Sequence, residues 1–147
     1  QIDKCEDCSA CCRSTDEIYL TDEEKLIPLY DITVTLEGCS LLSKKTNRCT
    51  IYKDRPWGCR EFKCYYIYSD LSKDYLPERV GFMVQIRPKE LLLVTPVAPW
   101  KIKVTEFQNW VNNHREKIMT MHKEAERTEE VSLALFLHTP YGDSRLL

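Results

Sequence analysis

Glycine is scarce in this sequence, with four in 147 residues, at positions 38, 58, 81 and 142. Their spacing builds no glycine-rich strand-to-helix turn, which excludes the usual phosphate cradle or dinucleotide fingerprint. Histidine is rarer still: His114, His122 and His138 all lie far from the cysteines in sequence. Apolar runs such as "LLLV" at 91–94 are too short to cross a bilayer, and no h-region precedes a cleavage site. The sequence opens at Gln1 rather than Met, which is compatible with a piece upstream. No Ser-His-Asp or Cys-His arrangement, catalytic carboxylate pair or phosphate loop is visible, so catalysis by the chain alone is not expected.

The last 83 residues also lack cysteine, because all eight cysteines fall within the first 64: Cys5, Cys8, Cys11, Cys12, Cys39, Cys49, Cys59 and Cys64. The thiols therefore form a localised device. An even count allows a disulfide framework. However, the cysteine-free part carries its own apolar pattern and needs no staples, so a reducing, cytoplasmic setting with bound metal is the expectation. Apolar residues at 43% and charged residues at 30% are ordinary for a folded globular chain of one domain's length.

The formal net charge is −2, and ligated thiols would make it more negative because they are deprotonated. Residues 39–64 supply local compensation with Lys44, Lys45, Arg48, Lys53, Arg55, Arg60 and Lys63 against Asp54 and Glu61. Cations beside cysteine favour the thiolate. Such a basic stretch also suits nucleic acid, but the overall acidic balance argues against that partner.

Several local patterns locate the elements. Thr21 and Glu24 have capping-box spacing ahead of Leu26, Ile27 and Leu29, which predicts a short helix over 22–30, kinked at Pro28. "GCSLLSKKTNRCTIY" reads as a hairpin that brings Cys39 and Cys49 together. In "KDRPWGCREFKC", Asp54 is a candidate N-cap and Pro56 suits the first turn of a short helix carrying Cys59. A bend between Cys59 and Cys64 is needed if both serve one centre, since a five-residue step on a helix points them apart. Residues 65–78 read as a connection. "VGFMVQI" and "ELLLVTPV" then form an antiparallel pair, and Thr105 with Gln108 opens an amphipathic helix of about 20 residues. "VSLALFLH" closes as a strand, and "TPYGDSRLL" reads as a surface tail. The expected fold class is α+β: a cysteine-rich metal-binding region at 1–68, then a β-β-α-β region at 69–147 with one long helix, packed as one compact unit.

Zinc and iron-sulfur clusters both take four thiolates. Cys5, Cys8 and Cys11 make the C-x2-C-x2-C triplet of ferredoxin-type runs, whereas Cys39, Cys49, Cys59 and Cys64 include no C-x2-C pair, which favours iron-sulfur over a zinc knuckle. Cys11 and Cys12 are adjacent, and neighbouring side chains on a helix diverge by about 100°. That divergence predicts that they serve different centres. The plainer alternative is a single four-thiolate centre with further thiols buried nearby. His114 lies on the apolar stripe of the long helix and reads as a core or boundary residue.

The run "CEDCSACC", the segment containing "LTDEE", Cys39 and "CTIYKDRPWGCREFKC" together resemble the YkgJ-type cysteine-cluster family, known as a zinc- or iron-chelating domain. In that family the second part runs C-x2-Y-x2-R-P-x2-C-R-x-F-x-C, which falls here on Cys49, Tyr52, Arg55, Pro56, Cys59, Arg60, Phe62 and Cys64. The resemblance implies metal chelation by the cysteines. A flagellin lysine N-methylase resembles the same pattern and suggests an iron-sulfur cluster, but methyl transfer here would rest on analogy alone.

The eight cysteines are thus the expected metal ligands, with Arg55 and Arg60 as candidates for tuning the sulfurs by hydrogen bonding or charge. Trp57, Phe62, Tyr65 and Tyr66 either shield the centre or pack the core. The expected cofactor is one or two [4Fe-4S] clusters, with zinc as the alternative. The expected role is that of an electron-transfer or accessory subunit acting with a protein partner.

Overall fold

The structure, a computed structural model, describes residues 10–14, 18–35, 38–43, 45–46, 48–62 and 64–147. Its C-terminal part is organised by alternation. Strands β3 (Phe82–Arg87) and β4 (Leu91–Pro96) pair antiparallel, with Val84 opposite Val94 and Ile86 opposite Leu92. Lys89 and Glu90, both at positive φ, make the tight turn between them. Helix α5 (Phe107–Glu129) then crosses back, so β5 (Ala134–Thr139) lies parallel to β4, and β6 (Gly142–Arg145) returns antiparallel to β5. The sheet order is β3-β4-β5-β6.

One face of this sheet presents Phe82, Val84, Leu92, Val94, Leu135 and Leu137, and α5 covers it with Phe107, Val111, Ile118, Met121 and Ala125. These helix positions recur at intervals of three, four and seven, the spacing that keeps side chains on one stripe. His114 belongs to the same surface: its ring stacks on Trp110 at 4.2 Å and meets Phe82 edge-on. Buried His122 fastens the helix to β5, donating from Nε2 to the Leu133 carbonyl at 2.8 Å, while Glu126 accepts from the Leu133 N–H at 2.8 Å.

The N-terminal part contains α1 (Ala10–Ser14), the two-residue strands β1 (Val34–Thr35) and β2 (Gly38–Cys39), α2 (Trp57–Glu61), α3 (Tyr65–Tyr68) and α4 (Pro77–Val80). It meets the sheet through α3, whose two leading residues part company. Tyr65 enters the helix-side core, and its hydroxyl bonds Thr128 Oγ1 at 2.8 Å; Tyr66 packs with Cys64 and Met83 in a second cluster. Met83 alternates with Phe82 and Val84 along β3, so it faces the side of the sheet opposite α5. The sheet is therefore backed by α5 on one face and, along β3, by the cysteine region on the other.

The α+β expectation holds, and the structure corrects several local readings. The helix expected over 22–30 is two 3₁₀ turns, Glu24–Leu26 and Pro28–Tyr30, because Ile27 before the proline is extended at φ −94°, ψ 120°. Residues 65–78 are short helices with buried tyrosines instead of a connection. Thr105 caps nothing, since it lies inside a 3₁₀ turn, Val104–Glu106, that runs straight into α5. The expected surface tail forms β6, with Leu146 N–H bonding the Leu135 carbonyl at 2.7 Å.

Ile118 is 2% exposed at the centre of the helix–sheet contact. Ile118→Ala should cost about 2–5 kcal/mol of unfolding free energy in urea titration. A cost below about 1 kcal/mol would show that the helix–sheet contact does not carry this part of the fold.

Candidate metal centre

Six of the candidate ligands, Cys11, Cys12, Cys39, Cys49, Cys59 and Cys64, lie among the described residues and form no disulfide there. Cys5 and Cys8 lie outside the described residues, as do Lys44 and Lys63. Each described cysteine has its own local device. Cys39 sits in β2 opposite Val34 of β1. Cys49 forms a bridge with Leu42, and the bonds Ser43 N–H to Arg48 O and Thr50 N–H to Leu41 O close the expected hairpin around it. Cys59 lies in α2, which stops at Glu61; Phe62 and Cys64 are extended, so the bend expected before Cys64 is present.

These placements bring sulfurs together. The sulfurs of Cys11 and Cys49 both lie within hydrogen-bonding reach of Cys12, whose single S–H serves one of them at a time. The neighbours Cys11 and Cys12 thus lie within reach of one another's sulfurs. The hydrogen bond from Cys12 is the main cause that lowers Cys11 to about 7, against burial and with help from Arg55. The same donor is the main cause that lowers Cys49 to about 6, again against burial, with the Ile51 N–H and Arg55 contributing. Cys12 is held well above the ordinary thiol range, first by its bonds to Cys11 and Cys49 and then by burial. Burial pushes Cys39 up, and it pushes Cys59 up to about 11 with the charges of Cys11, Cys39 and Cys49 adding to it. Cys11, Cys12 and Cys49 thus form one interacting group, and the charges of Cys11 and Cys49 reach Cys39 and Cys59 as well.

Arg55 supplies the opposing charge, favouring the thiolate at Cys11, Cys49 and Cys59. Its position is built by the C-x2-Y-x2-R spacing: Nε donates to the Tyr52 carbonyl at 2.9 Å, and the guanidinium lies 4.1 Å from the Tyr52 ring centroid. Arg60 sits differently, donating from Nε to the Arg55 carbonyl at 3.0 Å and placing its charge near Glu24. Tyr65 and Tyr66 are core residues, Phe62 is partly buried beside Tyr66, and Trp57 is exposed against Tyr19.

The sequence reading overlooked two features. Backbone amides two residues on donate to sulfur: Leu41 N–H to Cys39 Sγ at 3.4 Å, and Ile51 N–H to Cys49. The signal was present as Cys39-Ser40-Leu41 and Cys49-Thr50-Ile51, the same Cys–hydroxyl–aliphatic triplet twice. The second feature is the reach of Glu24. Its capping box forms, with Thr21 N–H to Oε1 at 3.0 Å and Glu24 N–H to Thr21 Oγ1 at 3.1 Å, but Oε2 accepts from the N–H of Trp57 at 2.8 Å. Asp54, the expected cap of that helix, instead ends a 3₁₀ turn, and its carbonyl accepts from the Tyr30 hydroxyl at 2.7 Å.

Among the described residues, no three His, Cys, Asp or Glu side chains are arranged to hold a metal ion as they stand. The donor set nevertheless fits one chemically. Thiolate sulfur is the ligand type of zinc and of iron-sulfur clusters, and Cys11 and Cys49 are the two thiols shifted toward that ionised form.

A model of the CxxCxxCC family, described as a putative zinc- or iron-chelating domain, matches residues 4–79, just over half of the chain. The chain belongs to this family. Its signature falls on Cys5, Cys8, Cys11 and Cys12, and the match continues past Cys64 through the α3 tyrosines into α4. Membership carries a metal-binding role, with zinc and iron both within the description. Neither the curated proteins nor the solved structures hold a match to this CxxCxxCC protein.

Two predictions follow from how the 18–31 segment meets α2. A Cβ on Gly58 would stand 2.6 Å from the Tyr19 carbonyl oxygen, a backbone atom that cannot swing aside. Gly58→Ala should therefore cost about 1–3 kcal/mol by thermal or urea unfolding, and an unchanged midpoint would show that the contact is loose. Glu24 is held below the usual carboxylate range by the Thr21 N–H first and the Trp57 N–H second. Its stabilisation is therefore full above its unfolded value and lost as pH falls through the lower, folded one. The stability difference between wild type and Glu24→Gln should shrink across that acidic window and stay level from pH 6 to 8; a difference that grew with acid would refute the assignment.

Proposed function

We propose that this CxxCxxCC protein carries one or two [4Fe-4S] clusters on its eight cysteines and serves as an electron-transfer or accessory subunit. The observation that carries this reading is the number of thiols that influence one another: Cys12 interacts with Cys11 and Cys49, and the charges of Cys11 and Cys49 reach Cys39 and Cys59, five described cysteines where a single tetrahedral zinc ion uses four. Cys5 and Cys8 complete the N-terminal triplet, and Cys64 stands at the sheet side. The triplet spacing supports a cluster as well.

The chain's own groups fit such a centre. Arg55 offsets the thiolate charge, and the amides of Leu41 and Ile51 donate to sulfur, which is the means by which proteins set cluster potential. When bound, the cluster supplies reversible one-electron exchange. Next to this region Leu26 is 84% exposed and Tyr19 60%, with Ile27, Leu29 and Trp57 also open to solvent. Apolar side chains open to solvent on a segment that contacts the Cys59-bearing helix support a role beside a protein partner.

Anaerobic purification followed by iron, acid-labile sulfide and zinc analysis tests the reading. Iron and sulfide in near-equal amounts, at about four of each per cluster, are expected. Stoichiometric zinc without sulfide would replace the cluster by structural zinc, and no metal with oxidised thiols would remove both. A redox titration then separates carrier from structural centre, since the absence of reversible reduction would rule out electron transfer.

A further inference from the structure

We propose that Glu24 is a positioning residue of the thiol centre, holding the Cys59-bearing turn in place from a distant part of the chain. The inference rests on the metal-binding reading above. Helix α2 has five residues, with Pro56 at its N-cap position, no side-chain cap of its own and no acidic residue in its first turn. The first N–H groups of a helix have no partner within it, so that of Trp57 must find one elsewhere. Glu24, 33 positions earlier in the chain, provides it at 2.8 Å.

The geometry explains why this contact bears on Cys59. The N–H groups of Cys59 and Arg60 both bond the Pro56 carbonyl at 3.0 Å, so the turn is a rigid unit one bond away from the Glu24 contact. Pro56 is fully buried, which pins the other side of the turn. The carboxylate itself is fixed by the Thr21 backbone N–H, which commits Oε1 and leaves Oε2 aimed at Trp57. Three further contacts hold the same two segments in register: the Tyr19 carbonyl against Gly58, the Tyr19 ring edge-on to Trp57 at 5.7 Å, and the Tyr30 hydroxyl on the Asp54 carbonyl. The charge of Arg60 adds a weaker attraction to the same carboxylate. Glu24 thus acts through α2 on Cys59 and touches no candidate ligand itself.

Cobalt(II) is a suitable probe, because its thiolate charge-transfer absorption scales with the number of sulfurs bound. Anaerobic titration of the full chain should show Glu24→Ala weakening cobalt binding roughly 10–100-fold, the usual effect of losing a group that supports a ligand. The saturated absorption should also drop by about one thiolate's share. Glu24→Gln keeps one carbonyl acceptor and should recover part of both. Thr21→Val removes the cap hydroxyl but leaves the Trp57 contact, so it should bind cobalt nearly as wild type does. Wild-type affinity and absorption in Glu24→Ala would overturn the proposal, and so would an equal loss in Thr21→Val, which would mark a general loosening of the segment. If the wild type itself gave no charge-transfer band, the metal-binding reading would fall, a result distinct from either.

Discussion

Sulfur atoms gathered within hydrogen-bonding reach repel one another once ionised, and the rest of the N-terminal half can be understood as a response to that repulsion. Part of the response is hydrogen bonding among the thiols: Cys12 lies beside both Cys11 and Cys49, and its S–H favours their thiolate forms while its own proton is held more tightly. A bound metal would take over that proton's place with more positive charge, so affinity for metal and affinity for protons are the same property of the site seen from two sides. Arg55 is the fixed part of the compensation. It is held by a carbonyl and a ring face from Tyr52, so its direction does not depend on the sulfurs being charged.

A site of this kind needs rigid placement, and elements of two to five residues cannot give it alone. Short helices and two-residue strands leave many backbone groups without partners inside the element. Here those groups are used as connectors. The Trp57 N–H is met by Glu24, the Asp54 carbonyl by Tyr30, and amides after Cys39 and Cys49 turn back onto their sulfurs. What looks like a shortage of secondary structure is a set of cross-links between sequence-distant segments.

The sheet half was legible because periodicity reports burial directly. Val84, Leu92 and Val94 alternate with positions on the opposite face, and Val111, Ile118 and Met121 follow one helical stripe. The tail was missed because β6 is exposed at every position and shows no apolar alternation; its pairing with β5 is made by backbone groups, which side-chain pattern does not record. In the cysteine half, the motif marked the candidate ligands, and the hairpin around Cys49 followed from its turn composition. In sequence Arg60, beside Cys59, was the favoured partner for sulfur, yet the charge that reaches Cys11, Cys49 and Cys59 is that of Arg55, while Arg60 donates to the Arg55 carbonyl. The capping box at Thr21 was readable as a local signal, but its second carboxylate oxygen serves a partner 33 residues away. No local pattern encodes that.

The division of Tyr65 and Tyr66 between opposite faces of the sheet bears on how the protein comes apart. A segment packed on one face can peel away while the sheet persists. A segment whose consecutive side chains straddle a strand can leave only by opening both layers, including the hydroxyl bond to Thr128 on the long helix. Cys64 immediately precedes this straddle, so the end of the ligand-bearing sequence is anchored to the centre of the molecule. The cysteine region and the sheet therefore meet through side chains at α3, and a displacement of Tyr66 would disturb the packing of Met83 on β3.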